Sequence, residues 1–549
     1  MDTLWMINRD RVHRYATFEN GAYLLGALVA LQVAQLSYDP IRKLFSPLRH
    51  LDGPPNESLL FGHMKRVFAA TGSSLQEEWK RQYGPTFVYR GFLSSWRLHT
   101  TDTRALSFIM NQSQSFPKPE AFRRGLADVL GEGILFADFE GHKRQRRVMN
   151  PAFGPSQIRE LVPIFWQKST KLRDAWLDLI KAGPEDVATI DVLSWLSRTT
   201  LDIIGAAGFD YHFNALENDH DEFANAFAKI FEAGPQLTIL GILKGLLPAL
   251  RVIPDQRSRI LQANMAIMRR IGTKLVADKK AALEQEIKTG TTAQSRDLLT
   301  LLIKANMACE SEDSRMTDPE VLGQISTFLV AGHETTSTST TWGLYALAKH
   351  PEVQQKLRKE ILESGLGDEP SMADLDRLPF LESVVREVLR LHAPVPGTLR
   401  EAAHDIEIPV SQSFKDRHGV EQTFISLQKG DTIQLPVQVT NCSVEIWGEN
   451  ALKFCPERWD NPPSAVNEMP GVWGHIMTFL TGSHSCIGYR FAIVEMKALL
   501  YTLVRSIEFD ISPTIEIEGK TALVTRPRVA SEPEKGNQMP LICRPVAAI

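Results

Sequence analysis

The sequence predicts a mainly helical protein with a smaller β part, built around one large domain. Three observations predict it. Residues 157–372 carry Leu, Ile, Phe and Ala at helical spacing, with charged residues on the other faces. Two later tracts, 401–436 and 506–529, change to short β-like runs with turn residues, such as Thr423-Phe424-Ile425-Ser426-Leu427 before Lys429-Gly430-Asp431. Motifs that carry chemistry are spread from His142 to Cys486, with no internal repeat or long low-complexity linker between them. If they meet at one site, the body is a single domain, although a chain of 549 residues has room for several.

Composition narrows the function classes. A hydrophobic fraction of 43% and a charged fraction of 23% suit a globular protein with a large core. The net charge of −4 gives no nucleic-acid footprint. The five cysteines, Cys309, Cys442, Cys455, Cys486 and Cys543, are odd in number and widely spaced. No Cys-x-x-Cys occurs, which argues against zinc, iron–sulfur and dithiol sites, and no Cys-x-x-Cys-His occurs to attach a c-type haem. Nothing suggests a disulfide framework, so a reducing compartment is expected.

In chain order, a tail (1–20) precedes a short apolar segment (21–38), with Arg9, Arg11 and Arg14 before it and Arg42, Lys43 and Arg49 after it. The segment is marginal for a bilayer, which takes about 20 apolar residues. A tilted membrane anchor, a cleaved signal peptide and an ordinary core helix all fit; the anchor is the reading adopted. A proline-rich stretch (39–55) reads as a stiff hinge, and residues 56–549 as the body. Gly234-Pro235 and the 247–254 stretch should break the helical region, and residues 279–294 should form a surface loop or helix end.

Thr317-Asp318-Pro319-Glu320 is a helix start, with a capping Thr, Pro in the first turn and Glu three residues on. The run continues to Lys349-His350 before Pro351, a helix of about 30 residues and about 45 Å. Its middle, Gly332 and the Thr/Ser run from Thr335 to Thr341, is poor helix material, and a locally widened helix is expected there. Glu387 and Arg390, three apart, share a face of an amphipathic helix that leads into Leu391-His392-Ala393-Pro394-Val395-Pro396. Phe454-Cys455-Pro456-Glu457-Arg458-Trp459 follows. Finally Phe479-Leu480-Thr481-Gly482-Ser483-His484-Ser485-Cys486-Ile487-Gly488 holds one cysteine between glycines ahead of a helix. Close backbone N–H groups and a helix N-terminus favour a thiolate that can ligate a metal.

These motifs, in this order from about Ser46 onward, resemble the cytochrome P-450 family, and the 419–431 insert looks most like fungal members. The resemblance implies one large P-450 domain holding haem b, with Cys486 as the axial thiolate and Phe479, Gly482 and Gly488 shaping its loop. It implies that Ala331-Gly332-His333-Glu334-Thr335-Thr336 is the oxygen-activation motif: Thr335 bonds the distal oxygen and Glu334 joins a proton channel. Glu387, Arg390 and Arg458 would form a buried structural triad. His142 and Arg146 match a Trp-x-x-x-Arg helix that holds haem propionates, with His replacing Trp. Arg400 and His484, the latter where Arg is commoner, would do the same. Lys143, Arg144 and Arg147 would be a solvated basic face for an acidic reductase. Phe328, Ala331, Pro396, Thr398 and Val524 would face the substrate.

No Gly-x-Gly-x-x-Gly nucleotide fingerprint is present, so electrons should come from NADPH through a separate NADPH–cytochrome reductase, with a cytochrome b-type protein as a further donor. By resemblance the body faces the cytosol from the endoplasmic reticulum membrane. The sequons at Asn56, Asn111 and Asn441 would then stay unmodified. The activity implied is insertion of one oxygen atom from O2 into a hydrophobic small molecule such as a terpenoid, sterol or polyketide, in fungal secondary metabolism. The alternatives are a reductase-independent isomerase that rearranges hydroperoxides and a non-catalytic haem binder.

Overall fold

The apolar periodicity of the sequence is realised as eight helices that frame the candidate site. They are α1 (Phe139–Met149), α2 (Pro155–Ala182), α3 (Val192–Phe209), α4 (Gln256–Thr289), α5 (Asp318–Leu329), α6 (Thr335–Lys349), α7 (Pro379–Leu391) and α8 (Tyr489–Ser506). The structure, a computed structural model, describes residues 45–217, 221–232, 240–241, 244, 253–289 and 296–546. The tail, the apolar 21–38 segment, the start of the hinge, Gly234-Pro235 and most of the 247–254 stretch lie outside the described residues. Among the described residues no helix is long and apolar enough to cross a membrane.

The central helix begins as its sequence predicts. Thr317 Oγ1 accepts from the Glu320 N–H at 3.4 Å, and Glu320 Oε2 accepts from the Thr317 N–H at 2.8 Å. Between α5 and α6 the turn Val330–Glu334 is a π-helix, the local widening expected there. Packing explains its glycine: a Cβ on Gly332 would come within 2.8 Å of Ile204 Cδ1 on α3. The Thr/Ser run stays helical because its hydroxyls bond back to the helix. Ser339, Thr340 and Thr341 donate to the carbonyls of Thr335, Thr336 and Ser337 at 2.8, 2.9 and 2.7 Å. Short side chains then let α6 lie buried along most of its length, against α3, α7 and α8.

The β part is divided among small sheets. One has the order β1 (Thr86–Arg90), β2 (Trp96–Thr100), β7 (Thr432–Leu435), β4 (Thr398–Glu401), and it sets Arg400 opposite Ile433. β3 (Ala188–Asp191), β11 (Pro540–Pro545) and β8 (Ile507–Asp510) form a second. β5 (Ile406–Lys415) pairs with β6 (Glu421–Leu427), and β9 (Ile517–Thr521) with β10 (Thr525–Val529).

Of the two forms expected for residues 279–294, the described part, 279–289, takes the helix end: it is the last turns of α4, where Leu283 is buried against the core among polar neighbours. The described part of the hinge is docked rather than free. Leu48 and Leu51 are buried, Ser46 Oγ donates to Asp431 Oδ2 at 2.7 Å, and the Val88 N–H donates to the Asp52 carbonyl at 2.9 Å.

Glu387 and Arg390 are fully buried on α7. Arg390 donates through Nε and one terminal nitrogen to the two Glu387 oxygens, at 2.9 and 2.8 Å. Arg458 Nε donates to Oε1 at 2.8 Å, the Cys455 N–H to Oε1 at 3.0 Å, and Trp459 Nε1 to Oε2 at 3.2 Å. The carboxylate is thus satisfied on both oxygens by two cations and two neutral donors. Glu387→Gln keeps the shape but leaves two buried guanidinium groups without their counter-charge. It should lower stability by about 3–5 kcal/mol, read as a shift in the urea midpoint of the full-length protein. An unchanged midpoint would count against a structural role for the charge.

Candidate functional site

The cysteine loop is closed by its own backbone. Met477–Phe479 and Gly482–His484 are single 3-10 turns. The Cys486 N–H donates to the Phe479 carbonyl at 2.8 Å, and the Ser485 N–H to the Gly482 carbonyl at 3.2 Å. Gly482 has φ of +70°, and a Cβ there would lie 2.5 Å from the Met110 carbonyl oxygen, so both conformation and space demand glycine. Gly488 caps α8. Burial by surrounding protein pushes the Cys486 thiol up, while the Gly488 N–H and the Arg146 guanidinium pull it down. The side chain is nevertheless exposed, so a crowded thiol has open space in front of it. Among the described residues no cluster of three or more His, Cys, Asp or Glu could hold a bare metal ion. A lone thiolate suits a metal that arrives with its other ligands already in place.

The central helix supplies the facing wall. Ala331 is exposed although Val330, His333 and Glu334 around it are buried, so the π turn opens one face onto the interior of the domain. Thr335 Oγ1 donates to the Ala331 carbonyl at 2.5 Å, and Thr335 is partly exposed on that face. Phe153 links the two walls. Its ring meets Phe328 of α5 edge-on at 5.4 Å, and its Cε1 would sit 3.8 Å from a Cβ on Gly488. Glu334 Oε2 is gripped by Arg526 of β10, through Nε at 2.9 Å and through a terminal nitrogen. His333, whose Nδ1 lies 3.6 Å from Glu334 Oε1, meets Ser197 Oγ through Nε2 at 2.7 Å.

A cationic cluster gathers the remaining site residues. Arg146 donates to the Ser485 carbonyl next to the cysteine, and through Nε to Asn150 Oδ1 at 3.0 Å. His142 stacks on His484, with centroids 4.0 Å apart and planes at 20°. His484 Nε2 lies 3.2 Å from Asp138 Oδ1, which also receives Lys118 Nζ at 3.1 Å. Arg400 is buried; it donates to the Leu399 carbonyl at 2.8 Å, and burial lowers it to about 10 despite Asp138 nearby. Burial alone would raise Asp138, yet the His484 contact and Lys118 outweigh it and hold the carboxyl below its usual range. Lys118 falls to about 8, through burial first and Arg400 and Arg123 in addition, against the pull of Asp138.

Sequence reasoning missed Lys118 and Asp138, which lie in ordinary-looking context more than 300 residues from His484. It also misplaced Arg144. That side chain is not part of a solvated face: it pairs with Glu320, the capping carboxylate of α5, to which Gln145 Nε2 also donates at 3.0 Å. Lys143 and Arg147 remain exposed. Of the positions expected to face substrate, Phe328 packs against Phe153 and Phe209, and Val524 is buried at the tip of the β9–β10 hairpin. Pro396 and Thr398 are partly exposed, in the turn into β4 and at its start.

Burial, with His484, Lys118 and Arg146 adding to it, holds His142 down at about 3. An unfolded histidine takes its proton near about pH 6.5. Between those values the unfolded state binds the extra proton, so stability falls as pH falls. His142→Phe keeps a ring for the stack and removes that proton. Urea midpoints should then fall less steeply from about pH 6 to about pH 4.5, by about 1.4 kcal/mol per pH unit. A slope equal to the parent's would show that His142 is not held neutral in the fold.

The comparisons with known proteins agree with this arrangement. The family described as Cytochrome P450 matches residues 53–531. Cytochrome P450 monooxygenase 205 of Postia placenta is 49% identical over 508 residues, 91% of this chain and 93% of the relative. Cytochrome P450 monooxygenase 128 of the same organism is 48% identical over 512 residues, with the same shares covered. Cytochrome P450 monooxygenase claP of Ampulloclitocybe clavipes is 34% identical over 510 residues, again 91% and 93%. With a glycine-flanked cysteine loop joined through Phe153 to a π-widened helix, and matched along nine-tenths of its length by these fungal enzymes, the chain belongs to the cytochrome P450 family of haem-thiolate monooxygenases.

Proposed function

We propose that this enzyme inserts one atom of O2 into a C–H bond of an apolar small molecule, with electrons from NADPH delivered by a separate NADPH–cytochrome reductase. The overall balance is R–H + O2 + NADPH + H+ giving R–OH + H2O + NADP+. The observation that carries the reading is the exposed Cys486 thiol in its glycine loop, with Gly488 and Arg146 favouring its negative charge. The donor set fits haem b: one thiolate for the iron, and Arg400, Arg146, His142 and His484 as donors for two propionates. Haem supplies the activation of dioxygen and the attack on the C–H bond. The chain supplies position, protons and exclusion of water.

Within that division, Thr335 holds a proton on Oγ1, parked on the Ala331 carbonyl where the π turn loosens the helix. A small rotation re-aims that hydroxyl into the open face. Glu334 is the acid one residue away that refills it. The pair also separates this reading from its rivals, because neither a hydroperoxide-rearranging isomerase nor a passive haem carrier requires an acid and a hydroxyl here. Ala331, Phe328, Pro396, Thr398 and Val524 offer mostly apolar contact, which suits a terpenoid, sterol or polyketide and a role in fungal secondary metabolism. The exposed Lys143 and Arg147 are the cations offered to an acidic reductase, or to a cytochrome b-type donor, once Arg144 is set aside. We assign residues 56–549 to the catalytic domain and 21–38 to a membrane anchor that holds it on the cytosolic face of the endoplasmic reticulum. Asn441, one of the three sequons, is fully buried, which suits a body that carries no glycan there.

Reduced enzyme under carbon monoxide should show the thiolate-type Soret shift, and Cys486→Ser should abolish it; a shift that persists in the variant would overturn the ligand assignment. With reductase and NADPH, Thr335→Ala should keep electron flow but lower the yield of oxygenated product per NADPH by about tenfold or more, with peroxide rising instead. Unchanged coupling would remove Thr335 from proton delivery.

A further inference from the structure

We propose that Phe139 is the apolar anchor on which the electron-donating reductase seats. The inference rests on the proposed monooxygenase reading and goes beyond it, to the residue that fixes the partner in place.

Phe139 departs from its neighbours in two ways. It is a phenylalanine with φ of +50°, in the left-handed region, where a bulky side chain is strained and glycine is not. It is also 42% exposed, and among the described residues no other ring and no cation stacks on it. The ring therefore adds little to the core, and the strain has no local compensation. Backbone strain of this kind gathers at functional sites, where the surrounding structure holds it in place. Here the hold comes from the preceding residue. The buried Asp138 carboxylate lies 3.2 Å from His484 Nε2, and it accepts from Lys118 Nζ at 3.1 Å and from the Lys118 N–H at 3.2 Å. The Asp138 carbonyl accepts from the His142 N–H at 3.1 Å. The ring thus stands on a fixed support, and little conformational freedom is lost when a partner covers it.

Position says which partner that is. Phe139 opens α1, and the exposed Lys143 and Arg147 follow four and eight residues on, along the outer side of the helix. Glu140, also exposed, lies 3.7 Å from Lys143, a surface pair weak enough to be exchanged for another carboxylate. His142 and Arg146 of the same helix reach the cysteine loop, at the His484 ring and the Ser485 carbonyl. A protein seated on α1 is therefore about 10 Å, one helix thickness, from the loop that carries the thiol. It stands on the cysteine's side of the site, not on that of the central helix. An electron donor needs that nearness; a bilayer or a second copy of the chain does not. Two cations beside an apolar ring complement an acidic patch with an apolar centre. The cations steer the encounter, and the ring, once desolvated, holds the complex.

The test titrates haem-loaded full-length enzyme with NADPH–cytochrome reductase and follows complex formation and the rate of reduction. Phe139→Gly should raise the half-saturating reductase concentration about tenfold, at low and high salt alike. Its urea midpoint should not fall, because glycine suits φ of +50°. Phe139→Ala, which removes the ring and keeps the strain, should lose as much affinity, and Phe139→Trp should keep the parental value. Lys143→Gln/Arg147→Gln should weaken the complex at low salt and much less at high salt. Parental half-saturation in both Phe139→Gly and Phe139→Ala overturns the anchor. If those variants instead lose affinity for phosphatidylserine vesicles, the ring belongs to the membrane and the proposal fails. A fall in the Phe139→Gly urea midpoint that accompanies its loss of affinity makes the residue structural, which also overturns the anchor. A thiolate-type spectrum that survives Cys486→Ser overturns the underlying reading instead.

Discussion

The buried charge of Glu387 is the constraint from which the cysteine loop hangs. Its carboxylate orients Arg390, and Arg390 spends its remaining donors on the carbonyls of Asn441 at 3.1 Å and Ala451 at 2.6 Å. Asn441 in turn accepts from the Met477 N–H at 2.8 Å and donates to Thr478 Oγ1 at 2.9 Å, while Thr478 donates back to the Leu389 carbonyl of α7 at 2.7 Å. Phe479 follows directly and receives the Cys486 N–H. A chain of linked contacts thus runs from a carboxylate in the core to the backbone of Cys486. Each is buried or partly so, where an unmade bond costs more than a made one returns. The chain of contacts makes the position of the sulfur a property of the core rather than of the loop.

In the proposed function, a thiolate and two propionates would bring negative charge into a partly dry site, and cations around the loop would balance it. Arg146, Arg400 and Lys118 supply permanent or near-permanent charge. The two histidines differ: both are pushed down, His142 by burial foremost, so they act as neutral donors and as a stacked wall rather than as cations. Asp138 balances Lys118 and fixes the His484 ring.

What could be read from the sequence is what depends on neighbours along the chain. The capping box at Thr317, the weak centre at Gly332, the Glu387–Arg390 spacing and the glycines about Cys486 are all local, and the fold realises each of them. What stayed hidden joins distant segments. Arg526 reaches Glu334 across 192 residues, and Asp138 reaches His484 across 346. Neither segment has a composition that announces a partner. Arg144 was misread for the same reason: a run of cations looks solvated until a buried carboxylate from another helix is placed beside one of them.

Three buried glutamates show how the fold turns one functional group to different ends. Glu387 has both oxygens satisfied by rigid donors from α7 and the 455–459 segment, so it is immobile and structural. Glu495, on α8 behind the cysteine, has neither oxygen in a proper hydrogen bond. Burial pushes it well above the usual carboxylate range, with only a weak counterweight in the Thr336 hydroxyl, where it is wedged between α8 and α6. Glu334 lies between these extremes, held by one arginine on a hairpin rather than by the core. The number of partners and the elements that carry them thus set the three carboxyl groups apart, and Glu334 is the one that adjoins Thr335.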